Sequence, residues 1–141
     1  GVADPGAKLV NLAHQNNFTV MPLVGPSSIL LALMGSGLNG QSFAFHGYLP
    51  IREKERKSSI QDLEKESARS MQTQIFMETP HRNKVLLDQL LQTCQPSTKL
   101  CIACNLTADD QILKTRRIME WKNGSLPDIE KKPCLFLLYS N

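Results

Sequence analysis

Gln74-Ile75-Phe76-Met77-Glu78-Thr79-Pro80-His81-Arg82-Asn83-Lys84-Val85-Leu86-Leu87-Asp88-Gln89-Leu90-Leu91 is the stretch on which the fold class turns. Its opening, Gln74 to Glu78, is centred on Ile75-Phe76-Met77 and reads as a strand. Thr79 then offers a capping hydroxyl, and Pro80 a pre-set φ for the first helical position. Beyond them Leu87, Leu90, Leu91 and Cys94 recur at the 0, 3, 4, 7 spacing of one helix face. A strand that gives way within two residues to an amphipathic helix is the repeating step of an α/β layer.

The same alternation extends in both directions. Upstream, Asp4 and Pro5 open a helix with a Leu9, Leu12, Ala13 stripe that ends at Asn16-Asn17. Phe18 to Val24 is β-rich and apolar, the pattern of a buried strand, and Gly25-Pro26 stops it. The next helix, Ser27 to Met34, is apolar all round and so is expected to be buried. Phe43 to Tyr48 reads as a second strand, and Arg52 to about Arg69 as a charged helix turned inward at Ile60, Leu63 and Ser67 or Ala68. Downstream, Lys99 to Cys104 and Ile112 to Ile118 read as strands, Met119 to Lys122 as a short helix closed by Asn123-Gly124, and Cys134 to Tyr139 as a terminal buried strand. The last strands follow one another without a full helix between them, which predicts a mixed sheet with flanking helices.

Composition bounds the rest. The chain has 141 residues, 41% of them apolar, with 16 Lys and Arg against 13 Asp and Glu, a formal charge of +3. A chain of this length buries roughly 68% of its unfolded surface and needs no disulfide or metal to hold a core. The longest apolar run, Ile29 to Met34, has six residues, against about 20 for a membrane span. No membrane partner is expected. The opening Gly1-Val2-Ala3-Asp4-Pro5-Gly6 carries no charged-then-apolar leader, and the chain reads as a C-terminal piece of a longer protein. A charge of +3 permits nucleic acid without requiring it. Cys101-x-x-Cys104 has a metal-knuckle spacing, but residues three apart on a strand point to opposite faces. All four cysteines, with Cys94 and Cys134, are therefore expected as reduced buried thiols of a cytoplasmic protein, with no metal bound.

Ligands of open α/β sheets bind outside the carboxyl ends of the strands, so the residues that follow each strand carry the chemistry. After the first come Gly25-Pro26-Ser27-Ser28, where a glycine and two hydroxyls meet a helix N-terminus able to receive a polar or anionic group. After the third come Glu78-Thr79-Pro80-His81-Arg82, where Glu78 and His81 are candidates for acid–base work and Arg82 for a phosphate. After the second, Gly47-Tyr48-Leu49-Pro50 leads into Arg52, Lys54, Arg56 and Lys57, which read either as a phosphate-contacting rim or, with Glu53 and Glu55 interleaved, as a solvated helix face. P-loop, Gly-x-Ser-x-Gly and His-Glu-x-x-His patterns are all missing from the sequence.

In this order the motifs resemble the C-terminal part of the tetrapyrrole-methylase-fold S-adenosylmethionine methyltransferases. The nearest branch is the one that 2′-O-methylates a cytidine of bacterial small-subunit ribosomal RNA. Asp4-Pro5-Gly6 is similar to the second half of that branch's Asp-Ala-Gly-x-Pro-x-x-x-Asp-Pro-Gly loop. Pro22-Leu23-Val24-Gly25-Pro26-Ser27-Ser28 resembles Pro-Leu-x-Gly-Pro-Ser/Cys-Ala, Gly47-Tyr48-Leu49-Pro50 resembles Gly-Phe-Leu-Pro, and Glu78-Thr79-Pro80-His81-Arg82 resembles Glu-Ser-x-His-Arg. The resemblance implies two α/β domains with S-adenosylmethionine folded in the cleft between them. Residues 1–38 would be the tail of the first domain and residues 39–141 the second. It further implies cofactor contacts from Asp4, Pro5, Gly6, Gly25, Pro26, Ser27, Ser28, Glu78, Asn105 and Leu106, and substrate contacts from Arg52, Lys54, Arg56, Lys57, His81 and Arg82. The implied partners are the small ribosomal subunit or its RNA and a second copy of the chain, in a bacterial cytoplasm.

Two departures stand out. Ala103-Cys104-Asn105-Leu106-Thr107-Ala108 replaces the branch's Ala-Arg-Glu-Leu-Thr-Lys, and Lys132-Pro133 replaces a Gly-Glu before the last strand. Their loss is expected to remove a charged network from the cleft. They leave two alternatives open: a relative that methylates a tetrapyrrole or other small molecule, or a non-catalytic RNA-binding module.

Overall fold

The computed structural model describes residues 2–141. Its elements run α1 (Gly6–Gln15), α2 (Ser28–Ser36), β1 (Phe43–Tyr48), α3 (Glu53–Ser70), β2 (Thr73–Met77), a 3-10 turn (Pro80–Arg82) leading into α4 (Asn83–Thr93), β3 (Lys99–Cys104), β4 (Ile112–Arg117), α5 (Ile118–Asn123) and β5 (Cys134–Tyr139). The five strands form one mixed sheet in the order β1-β2-β5-β3-β4. β1 and β2 are parallel, while β5 lies antiparallel to both β2 and β3, and β4 antiparallel to β3.

The period-2 alternation of the strands divides the core into two layers. Leu100, Ile102 and Cys104 of β3 and Phe136 and Leu138 of β5 face Ile60 and Leu63 of α3, Leu86, Leu87 and Leu90 of α4, and Ile118 and Trp121 of α5. Cys101, Ala103, Leu135 and Leu137 face Ala32 and Leu33 of α2 on the other side. Cys101 and Cys104 thus lie in opposite layers, as the strand geometry predicts. α2 approaches β4 closely, because Gly35 has no Cβ: one built there would lie 2.1 Å from Leu113 Cδ2.

Two sequence readings need correction. Phe18 to Val24 is not a strand: no described strand pairs with it, and Phe18 and Leu23 are 70% and 87% exposed. A β-favouring composition becomes a strand only where a neighbour completes its ladder. Nor is α2 buried all round, since Ala32, Leu33 and Ser36 are covered while Leu30 and Met34 remain open.

Candidate functional site

β1, β2 and β3 direct their carboxyl ends to one end of the sheet, where the antiparallel β5 and β4 begin. A cavity of about 520 Å3 opens there. Tyr48 and Met77 reach it from the ends of β1 and β2, Ala103 from β3, and Cys134 and Leu135 from the start of β5. Ser28, at the N-terminus of α2, closes one side, and the loop residues Asn105, Leu106 and Pro133 another.

Among the described residues Glu78 is the one carboxylate on the cavity wall, and it is 4% exposed. Its Oε1 accepts the Thr79 N–H at 2.6 Å and the Arg82 Nη2 at 2.7 Å. Its Oε2 is shielded from solvent and has no partner, and the same is true of Arg82 Nε. Such a buried acceptor is costly unless something donates to it. Thr79 occupies the cap position with extended backbone, but its hydroxyl makes no capping bond. The carboxylate beside it orders the turn instead.

Of the residues expected at the cofactor, Ser28, Glu78, Asn105 and Leu106 meet around this one cavity. Gly25, Pro26 and Ser27 stop short of its wall, and Asp4, Pro5 and Gly6 stand at the start of α1 outside it. His81 sits exposed on the 3-10 turn and does not line the cavity, whereas Arg82 touches it through Glu78.

The loop after β3, which carries the first of the departures, holds a charged group of its own beside the cavity wall. Asn105, at φ 48°, donates its backbone N–H to Pro133 O at 3.0 Å and its amide to both oxygens of Asp110, at 3.0 and 2.9 Å. Lys132 Nζ reaches the same carboxylate at 3.1 Å. The Lys132 ammonium, then the Asn105 amide, hold Asp110 below the ordinary carboxylate range, and Asp110 raises Lys132 in return.

The basic passage divides. Arg52 is exposed and pairs with Glu55 at 3.2 Å, and Lys54 and Lys57 face solvent. Arg56 is buried, bonding Gln89 Oε1 through Nε and Ile51 O through Nη1 at 2.9 Å, while Gln89 Nε2 donates to Glu53 O at 2.8 Å. Arg56 clamps α3 to α4 and leaves the set of substrate candidates. Sequence reasoning missed Met77, Pro133, Cys134 and Leu135 on the wall, because only the strand register brings them together. It also missed Asp110, whose signal was a carboxylate five residues beyond the altered Asn105.

No family model matches the chain. It is 37% identical over 106 residues to the ribosomal RNA small subunit methyltransferase I of Vibrio cholerae, a match covering 75% of this chain and 35% of that protein. With the protein of the same name from Mesorhizobium japonicum it shares 33% identity over 114 residues, covering 81% of the chain and 37% of the relative. The chain thus spans about a third of the length of these curated relatives. Among solved structures, the methyltransferase CobJ superposes with a TM-score of 0.62 at 16% identity over 99% of this chain and 60% of its own. A cobalt precorrin-4 methyltransferase, CbiF, gives 0.60 at 12% identity over 96% and 58%. These likenesses show the fold.

Proposed function

We propose, from the premise that this chain belongs to the tetrapyrrole-methylase-fold methyltransferase family and is homologous to the ribosomal RNA small subunit methyltransferase I proteins, that it forms one wall of a methyl-donor cleft. The activity served is S-adenosylmethionine-dependent methylation of small-subunit ribosomal RNA, at a ribose 2′-hydroxyl. One observation carries the reading: the strand-end cavity holds a buried carboxylate with one oxygen unpartnered.

The residues present fit that cofactor. Glu78 is a carboxylate suited to a hydroxyl or ammonium donor, and Met77, Ala103, Leu106 and Leu135 offer apolar surface to a purine or thioether. When bound, the cofactor supplies an electrophilic methyl group. The chain's own residues supply position and orientation, the larger share of what an in-line displacement by a hydroxyl requires. Arg82 and the Thr79 N–H fix one oxygen of Glu78, so the carboxylate is oriented before a ligand arrives. Of the two acid–base candidates, Glu78 alone stands on the wall. Residues 1–38 belong in this reading to the end of a preceding cleft domain, with α2 packed on the second domain's sheet, and two copies associate. The exposed apolar run from Phe18 to Val24 supports it, as a strand whose neighbours the described residues do not supply.

The test is methyl transfer from radiolabelled S-adenosylmethionine to small-subunit ribosomal RNA, followed by alkaline hydrolysis. A 2′-O-methyl blocks cleavage of the next phosphodiester, so label is expected in alkali-resistant dinucleotides. Label in mononucleotides would place the methyl on a base. Transfer to a tetrapyrrole in place of RNA would move the reading to the small-molecule alternative.

A further inference from the structure

The thirteen residues from Ile112 to Gly124 carry Lys114, Arg116, Arg117 and Lys122 against the single carboxylate of Glu120, a net of +3 that equals the excess of the entire chain. The remainder of the molecule is electrically balanced. These residues form the edge strand β4 and helix α5. β4 begins at the cavity end of the sheet and finishes roughly 17 Å away, at about 3.4 Å per residue. At that far end Lys99 stands opposite Arg117 in the register, and Lys99, Arg116 and Arg117 line a second hollow of about 180 Å3.

The charges there are free of ion-pair partners among the described residues. Among the described residues, none of Lys99, Lys114, Arg116, Arg117 and Lys122 belongs to an ion pair, whereas Arg52, Arg82 and Lys132 at the cavity end all do. Glu120, the nearby carboxylate, already accepts the Arg117 backbone N–H at 2.7 Å. The Arg116 guanidinium lies 5.0 Å over the ring of Trp121, which is itself fixed by an Nε1 bond to Leu100 O at 2.9 Å. Gly124 leaves it room, since a Cβ there would stand 3.0 Å from Arg116 Nη1. A guanidinium held in place in this way has less side-chain freedom to lose when a phosphate arrives. Trp121 is buried, so no base can stack on it, and a nucleic acid would be held by its backbone.

We infer that the β4–α5 corner is a second RNA-backbone site, binding phosphates of the strand whose target nucleotide lies at the cavity. The inference rests on the ribosomal RNA reading above and adds to it a surface at the opposite end of the sheet. Cations on an exposed edge strand can also serve only to prevent edge-to-edge pairing, a role that leaves RNA binding untouched.

The test is fluorescence anisotropy with a labelled small-subunit ribosomal RNA transcript, from about 50 to about 200 mM KCl, for the native sequence and for Lys114→Gln with Arg117→Gln. Both side chains are exposed, and Lys114→Gln with Lys122→Gln gives a second variant that spares the start of α5. Each lost phosphate contact should reduce the slope of log K against log salt by about 0.7 to 0.9, so a pair should reduce it by roughly 1.5. Affinity at the lower salt should fall roughly tenfold, with S-adenosylhomocysteine affinity unchanged. Native-like affinity and slope in both variants, with the native protein binding RNA, would overturn this site and leave the proposed function standing. Failure of the native protein to bind the transcript would overturn that function and the inference with it.

Discussion

Arg56 shows how a single residue in a charged run can be structural. It stands four residues before Ile60 and shares the inward stripe of Ile60, Leu63 and Ser67, so its guanidinium is carried under the α3–α4 contact with Gln89 and the Ile51 carbonyl. Removing it strips charge-assisted bonds from a buried acceptor on Gln89 and a part-buried one on Ile51. Arg56→Ala should cost about 2 kcal/mol and lower Tm by roughly 6 to 10 °C, while Lys57→Ala next to it stays within about 0.5 kcal/mol. Equal, small effects at both positions would return Arg56 to the surface. The cysteines make a second prediction at this scale. Burial pushes the thiols of Cys94, Cys101, Cys104 and Cys134 above their ordinary value of 9.0. Above about pH 9 the unfolded chain loses thiol protons that the folded chain keeps, so folding stability should decline as pH rises from there. Urea midpoints taken from pH 7 to pH 10 measure it, and replacing all four cysteines by alanine should flatten the decline. A midpoint that rises across that range would contradict the burial argument. The stripe position of Arg56 was available in the sequence, but charge composition masked it. The free oxygen of Glu78 was not available, because it depends on which atoms Arg82 and Thr79 engage.

At the scale of elements, β1 to β5 and the helices follow the sequence pattern to within a residue or two, except that α4 begins three residues after Pro80 behind a 3-10 turn, and the segment that departs altogether is instructive. Phe18 to Val24 has the composition of a strand, yet a strand exists only as part of a ladder, and its partners are not among the described residues. Local pattern reports what a segment can do, and pairing decides whether it does. Limited proteolysis of this chain should therefore cut first between Phe18 and Ser27, leaving a resistant product that begins near α2. Initial cleavage within β2, β3 or β5 would contradict the assignment of the core to those strands. α2 teaches a related lesson: an all-apolar helix signals that every face has somewhere to go, whereas here only the side against Cys101, Ala103 and Leu137 is occupied.

For the molecule as a whole, the sheet order is what makes a site. Ser28, Tyr48, Glu78, Asn105 and Pro133 are spread over more than 100 positions of the chain, and they converge because β1, β2 and β3 end where β5 begins. Alternating elements made the α/β class and the importance of strand ends legible. The insertion of β5 between β2 and β3 was not legible, since a terminal apolar strand can pair at either edge or in the middle. The same register places the excess positive charge at the far end of β4, away from the cavity. The central claim is that the strand-end cavity receives the methyl donor. An amide-resolved NMR titration of this chain with S-adenosylhomocysteine tests it most directly, because localisation is readable even where affinity is weak. Shifts confined to Ser28, Met77 to Thr79, Ala103 to Leu106 and Cys134 are predicted, with Glu78→Gln weakening them. Shifts centred elsewhere, or none at millimolar ligand, would contradict the account.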